Sequence, residues 1–326
     1  MKDLSIPGRI VTALAAIIFL ASIVSLADNN SGAIRTLDFI REPAIYLAAV
    51  LLVIAPLVLG RGLAPAAGLL AGSMAVNFWS IWPYTPVAPQ QMALGEASED
   101  AGCMSLLAFN VLQENEDYAR TARLIERVDP DILFLTETNQ AWIDAMEPQV
   151  ARYGYRLDQP LDNKYGKLFA SKIPVVKAEY SDTFDDETPT LYATLRAPNG
   201  ARFELIGLHP RPPMPGRSTA KRDASIAEAG QKTPDGLANV VAIGDFNDVP
   251  WSDTTQNFRA LGEYSDPRAG RGSFATFPAS YAYVGWPLDQ FFVKGKVSVQ
   301  DLKIGEAVGS DHLPLMARFC VDHDGR

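Results

Sequence analysis

Histidine and cysteine are scarce: three of the former and two of the latter stand in 326 residues, which excludes a thiolate-rich metal module or a framework of many disulfides. Positive charge is also short, at 29 Lys and Arg against 38 Asp and Glu. A net-negative chain has no general attraction to phosphate backbones. No internal repeat and no low-complexity tract occurs, so a repeat array is excluded. The last absence is regional: no charged residue stands in 10–27, 43–60 or 62–95.

Each of those stretches can hold a transmembrane helix, because about 20 residues at roughly 1.5 Å rise span a hydrocarbon core about 30 Å thick. Buried core helices are the alternative. Three in succession, flanked by Arg9, Arg61 and the aromatic residues Trp79, Trp82 and Tyr84, read instead as membrane spans with an interfacial belt. The spans are predicted near residues 10–28, 43–60 and 63–82. Lys2 and Arg9 before the first, with Arg61 between the second and third, are the cytoplasmic charges, which puts everything after about Pro83 on the outer side. Arg35 and Arg41 in the outer loop run against that rule. Residues 1–27 also fit a cleaved signal peptide ending in Ser25-Leu26-Ala27, which would leave two spans and the same orientation. The expected organisation is a multi-pass cell-membrane protein: a three-helix anchor over 1–83, a proline-rich linker over 84–100 and an extracytoplasmic domain over 101–326.

Beyond residue 95 stand 24 basic and 34 acidic side chains, a balance of −10. Residues 104–109 and 131–135 read as buried strands ending in a polar side chain. Between them Thr121, Leu124, Ile125 and Val128 recur at helical spacing behind Glu116-Asp117. Short strands follow at 167–170, 175–180, 191–195, 202–208, 239–243, 288–293 and 313–319, with a helix at 218–230. Strands and helices with mixed connections predict an α/β fold, a two-sheet α/β sandwich with helices outside. Cys103 and Cys320 stand at the two ends of this domain, open to a disulfide in an oxidising compartment or to two buried thiols.

At the ends of the predicted strands stand Asn110, Glu137, His209, Asp245 with Asn247, Asp289, and Asp311 with His312. Water attacks a phosphate ester slowly because the anionic oxygens repel it. A divalent cation together with imidazolium donors removes that repulsion and aligns the phosphoryl group. An aspartate beside a histidine raises the imidazole pKa and fixes its tautomer, a part open to Asp289. Singly, Asn110 and Asn247 read equally as turn formers, Asp245 as a helix N-cap and Glu137 as a first-turn acid. Collected at strand ends, the set reads as a ligand site. After His209 the loop Pro210-Arg211-Pro212-Pro213-Met214-Pro215-Gly216-Arg217, with Lys221 and Arg222, sets four cations that either grip an anionic substrate or form a solvated surface.

The motifs Phe109-Asn110, Leu135-Thr136-Glu137-Thr138, Ser171-Lys172-Ile173-Pro174, Gly207-Leu208-His209-Pro210, Gly244-Asp245-Phe246-Asn247, Leu288-Asp289 and Ser310-Asp311-His312 follow one another across residues 104–319. In that order the chain resembles the endonuclease/exonuclease/phosphatase superfamily of DNase I-like proteins. The resemblance implies a four-layer DNase I-like sandwich and a Mg²⁺ ion, replaceable by Mn²⁺, held by Glu137 with Asn110 and Asp311, an oxygen set that suits a hard cation. It implies that Asp245 orients or deprotonates the attacking water and that Asn247 donates to it or to a phosphoryl oxygen. His312, supported by Asp289, would stabilise the phosphoryl group or shuttle a proton, and His209 would bind a non-bridging oxygen or assist the leaving group. Gln290 stands where many relatives carry His or Tyr. The first and last strands of this fold are antiparallel neighbours, which implies a Cys103–Cys320 disulfide. Membrane-tethered members with a three-span anchor and a His-Pro-x-Pro-Pro segment are associated with glycopeptide-resistance loci and with polyprenyl pyrophosphate, and His209-Pro210-Arg211-Pro212-Pro213 is similar.

The expected activity is therefore an outward-facing, Mg²⁺-dependent phosphohydrolase acting on a phosphate ester or lipid-linked (pyro)phosphate, with Arg211, Arg217, Lys221 and Arg222 on the substrate. An extracytoplasmic nuclease on the same fold is the enzyme alternative, opposed by tethering and acidity. A catalytically inactive membrane-tethered binding module is the alternative of another class, opposed by the presence of every expected polar residue.

Overall fold

The computed structural model describes residues 5–60, 63–95, 97, 102–181, 187–281 and 285–323. Lys2 and Arg61, two of the expected cytoplasmic charges, lie outside the described residues. The chain opens with three helices long and apolar enough to cross a membrane. These are α1 (Ile6–Val24) and, after the single turn α2 (Gly32–Arg35), α3 (Arg41–Leu59) and α4 (Leu63–Ile81), which a 3-10 turn at Trp82–Tyr84 continues. Helix α1 starts at Ile6 rather than near residue 10 because the Ser5 hydroxyl accepts from the Gly8 N–H at 3.3 Å and Pro7 occupies the first turn, where no N–H is needed.

Small residues line the seam of the three helices: Ala15, Ala48, Ala55 and Ala66 are fully buried. Beside them Ser22 Oγ meets Ser73 Oγ at 2.7 Å and Asn77 Nδ2 donates to Ser22 Oγ at 2.7 Å. Close small-residue contact with interhelical hydrogen bonds is how helices associate where apolar burial supplies no driving force. Outward, Val53 and Leu57 are 77% and 84% exposed. Contiguous apolar exposure of that kind marks a surface made for lipid or for another protein.

The chain then alternates: β1 (Gly102–Asn110), α5 (Tyr118–Val128), β2 (Ile132–Thr136), α6 (Gln140–Val150), β3 (Tyr155–Gln159), β4 (Lys167–Ser171), β5 (Val175–Ser181), β6 (Thr190–Arg196) and β7 (Arg202–Gly207). It continues as α7 (Ala220–Gln231), β8 (Val240–Asp245), α8 (Asp253–Gly262), β9 (Asp289–Lys294), β10 (Val297–Ile304) and β11 (Leu315–Val321). One sheet has the order β10-β11-β1-β2-β4-β3, the other β5-β6-β7-β8-β9. Helices α5 and α6 cover the outer face of the first through Leu124, Trp142 and Met146, while α7 and α8 cover the second through Ile226 and Phe258. Leu106, Phe134, Phe169, Leu205, Ile243 and Phe291 pack between the sheets. The result is a four-layer DNase I-like α/β sandwich. Cys103 and Cys320 are register partners on β1 and β11, with Cα atoms 3.9 Å apart, and form a disulfide.

Helices and sandwich meet at one end of the second sheet. Gly32 N donates to Arg217 O at 2.8 Å and Thr219 N to Asn30 O at 2.8 Å in the loop after β7. Tyr84 Oη donates to Pro250 O at 3.1 Å and Trp251 Nε1 to Asp38 O at 2.9 Å in the loop after β8. Arg35 pairs with Asp253 at 2.5 Å, and Trp286 Nε1, just before β9, donates to Phe39 O. Arg41, which ran against the charge bias expected of an outer loop, is buried against Asp38 at 2.8 Å.

Candidate active site

Side chains alternate across a strand, so residues two apart share a face. On β1 the inward set Leu106 and Ala108 continues to Asn110. On β8 Val241 and Ile243 continue to Asp245, and on β9 Val293 and Phe291 run back to Asp289. The same parity carries β7 past Leu205 to His209 and β4 back from Phe169 to Lys167. One polar layer therefore caps the apolar core between the sheets. Asp245 and Asp289 are register partners across β8 and β9. Gly244 (φ +120) is required here, because a Cβ would lie 2.1 Å from Leu208 O.

Asp245 is the hub. Its Oδ2 accepts from Asn110 Nδ2 at 3.0 Å and lies 3.5 Å from His209 Nε2 and 3.6 Å from His312 Nε2, while Oδ1 accepts from Asn247 N at 2.7 Å. Burial alone would raise its pKa, but the His312 charge and the contacts from His209 and Asn110 outweigh that and hold the carboxyl well below its ordinary range. His312 bonds Asp289 Oδ2 through Nδ1 at 2.8 Å. Burial opposes its charge, yet Asp289 and Asp245 raise its pKa to about 10, so Nε2 is a proton donor at neutral pH. His209 is buried, with no hydrogen-bond partner for Nδ1 among the described residues and the Tyr165 ring 5.1 Å away.

Glu137 follows β2 in left-handed backbone (φ 62), a conformation costing about 1–3 kcal/mol that tends to persist at functional positions. Its Oε1 accepts from Asn110 Nδ2 at 2.9 Å and stands 4.0 Å from His209 Nε2; Oε2 accepts from Gln113 N at 3.2 Å. The charges of Glu137 and Asp311 both reach Lys164. That ammonium is raised first by its bond to Glu114, against slight burial, and further by these two carboxylates. Among the described residues, the one three-residue group with ligand atoms within 4.8 Å of each other is Asp245, Asp289 and His312. There the imidazole bridges the two carboxylates, an arrangement that holds protons. The oxygen donors Glu137 and Asp311 suit a hard cation. Asn110 adds little freedom to such a site, since Nδ2 is given to both carboxylates and Oδ1 already accepts from Leu112 N at 3.0 Å.

Several predicted residues are placed otherwise than expected. Asn247 Nδ2 is given to Pro210 O at 3.1 Å, tying the loop after β8 to that after β7. Arg222, expected on the substrate, is withdrawn from solvent: it donates to Arg211 O at 2.6 Å, to Asp223 at 2.7 Å and to buried Asp248 at 2.9 Å, because two carboxylates and three carbonyls surround it. Gln290 points to the far face of β9 and accepts from Arg268 at 2.5 Å. Arg217 and Lys221 are exposed, and Arg211 lies over the Tyr165 ring at 5.3 Å and pairs with Glu187. Lys167 escaped the sequence reading. It is fully buried in the polar layer and donates to Tyr165 O at 2.9 Å; a lysine opening an otherwise apolar strand was the available signal.

Residues 107–312 match the model of the Endonuclease/Exonuclease/phosphatase family. No curated protein matches the chain. Among solved structures, D. rerio TDP2 complexed with single-strand DNA product is similar at 17% identity and TM-score 0.55, covering 67% of this chain and 98% of that one. An endonuclease/exonuclease/phosphatase from Bacteroides vulgatus is similar at 17% and 0.56, covering 68% and 99%. A mannosyl-6-phosphatase from Bacteroides thetaiotaomicron is similar at 16% and 0.52, covering 66% and 99%. At such identities the likeness is one of fold.

Proposed function

The chain belongs to the endonuclease/exonuclease/phosphatase family of metal-dependent phosphoester hydrolases, and we propose that it is a membrane-anchored, extracytoplasmic phosphohydrolase acting on a lipid-linked phosphate or pyrophosphate. One observation carries the substrate reading. The loops bearing His209, Asn247 and the approach to Asp289 are the same loops that rest, at Arg217, Pro250, Trp251 and Trp286, on the segment joining α1 to α3 and on the turn that continues α4. An active-site rim seated on the ends of transmembrane helices stands at head-group level, where tethering raises its effective concentration toward lipids. The lipid-facing exposure of α3 supports the anchor, and the disulfide supports an oxidising, outer compartment. The three-span layout and the His-Pro-x-Pro-Pro segment are in keeping with the glycopeptide-resistance-associated membrane type.

Glu137 and Asp311 would hold Mg²⁺ or Mn²⁺, which when bound neutralises phosphoryl oxygen charge and aligns the phosphorus. The remaining work falls to the chain. Asp245, kept ionised, accepts from and orients the attacking water. His312, kept protonated by Asp289, donates from Nε2 to a phosphoryl oxygen, and His209, whose Nε2 approaches the same Asp245 oxygen, is a second donor. Arg211, over the Tyr165 ring that stands beside His209, would take a second phosphate, with Arg217 and Lys221 as exposed cations of the same stretch of chain. The test compares a polyprenyl pyrophosphate in vesicles with plasmid DNA, using wild type and Asp245→Ala. Metal-dependent phosphate release from the lipid, abolished by the substitution, is expected. Nicking of DNA that the substitution abolishes, with no release from the lipid, would transfer the reading to a nuclease.

A further inference from the structure

A cavity of about 320 Å³ opens where the outer ends of α3 and α4 meet the sandwich. Glu42 and Tyr46 come from the first turns of α3, Phe78 from the last turn of α4, Tyr84 and Thr85 from the turn that follows, and Trp251 and Ser273 from the domain. We propose that this cavity binds the head group of a phospholipid carrying a primary amine, at a site separate from the polar layer.

The size is that of a small-ligand site, and its walls are aromatic and aliphatic on most sides. Glu42 is the single charged side chain in the wall. Among the described residues its one hydrogen bond comes from Tyr46 Oη at 2.8 Å. A carboxylate in a partly apolar wall calls for a cation, and aromatic faces attract ammonium groups. Two hydroxyl residues in the wall bear on which cation: Thr85 Oγ1 donates to Trp82 O at 2.9 Å, which leaves its lone pairs to accept, and Ser273 also lines the cavity. A primary ammonium has three N–H donors for Glu42, Thr85 and Ser273, whereas a trimethylated one has none. Both helices are long and apolar enough to span a bilayer, and their outer ends supply the wall, so a head group is the amine at hand. Trp251 shares its loop with Asn247 and Asp248, so an occupied cavity secures the catalytic rim on the anchor.

The experiment uses the full chain in detergent, titrated with short-chain phosphatidylethanolamine, phosphatidylcholine or phosphatidylglycerol and followed by thermal unfolding. It tests the cavity whichever way the helices cross a membrane and whatever the enzyme hydrolyses, so its failure is separate from failure of the proposed function. At saturation the ethanolamine lipid is expected to raise Tm by at least about 3 °C, with little effect of the others. Glu42→Gln is expected to leave the lipid-free Tm within about 1 °C, since the group is on the surface side of α3, and to raise the half-saturating concentration about tenfold. Equal shifts with all three lipids, or an unchanged titration in Glu42→Gln, would overturn the proposal. Should Glu42→Gln unfold early, the comparison of lipids on wild type decides alone.

Discussion

At the scale of single residues the site works by opposed charge. Asp245 sits between two imidazoles, and His312 between two carboxylates, so each is driven toward its charged form despite burial. The signs give a pH window. The raised pKa of His312 stabilises the fold below about 6.5 and that contribution is lost as pH climbs through about 10; the depressed pKa of Asp245 stabilises it above the ordinary carboxylate range and is lost only in stronger acid. In the proposed mechanism both charged forms act, so the alkaline limb of activity is expected near pH 10. In Asp289→Asn the first support of His312 is gone, and the limb should move toward neutrality, read from kcat/KM against pH. His312→Ala and Asp245→Ala should each lower turnover about 100-fold or more. Arg222 makes a contrasting prediction. Its pair with Asp248 has side chains 7% and 3% exposed, and Arg222→Ala should lose about 3–5 kcal/mol of stability in urea unfolding, while Arg217→Ala and Lys221→Ala should leave stability alone and raise KM.

At the scale of elements the strands that the sequence concealed are the edges. β3 (Tyr-Arg-Leu-Asp-Gln) and β10 (Val-Ser-Val-Gln-Asp-Leu-Lys-Ile) are outermost in the first sheet; β3 is only half-buried, and β10 gives Val297, Val299 and Leu302 to the core but interleaves them with polar residues and shifts register between Val299 and Asp301, so neither shows an apolar run to be recognised. The buried strands ending in Asn110, Glu137 and Asp245 were legible because apolar runs close on a polar residue there. Between elements, Cys103 and Cys320 lock β1 to β11 across 217 residues of chain. Closing so long a loop restricts the unfolded ensemble, and reduction is expected to cost about 2–5 kcal/mol, seen as a lower Tm with dithiothreitol and matched by Cys103→Ser with Cys320→Ser.

At the scale of the molecule the anchor and the sandwich are joined by buried polar contacts rather than by a tether. Gly32 is the tightest of these: a Cβ there would lie 2.0 Å from Met214 O, in the loop that carries the rim arginines. Such a fit holds the site at one height above the helices. The topology reading expects a reporter fused after Arg326 to be active only when it functions outside the cytoplasm. Activity of a cytoplasm-only reporter at that position would reverse the orientation and with it the lipid substrate of the outer leaflet.

Uncharged stretches, strand-end polar residues and their order were written in the chain, because hydrophobic length and backbone period act locally and need no partner to be read. They were enough for the three apolar helices, for the two-sheet sandwich and for the family to which residues 107–312 belong. What side chains do in company was not. The donation of Asn110 to Asp245 spans 135 positions and both sheets, and the withdrawal of Arg222 against Arg211 O and Asp248, like the burial of Lys167, depends on how separate loops and strands meet. Hydrogen bonds and charge shifts are set by distances of a few ångströms, and only the packing of one sheet on the other, and of both on the anchor, brings those distances about.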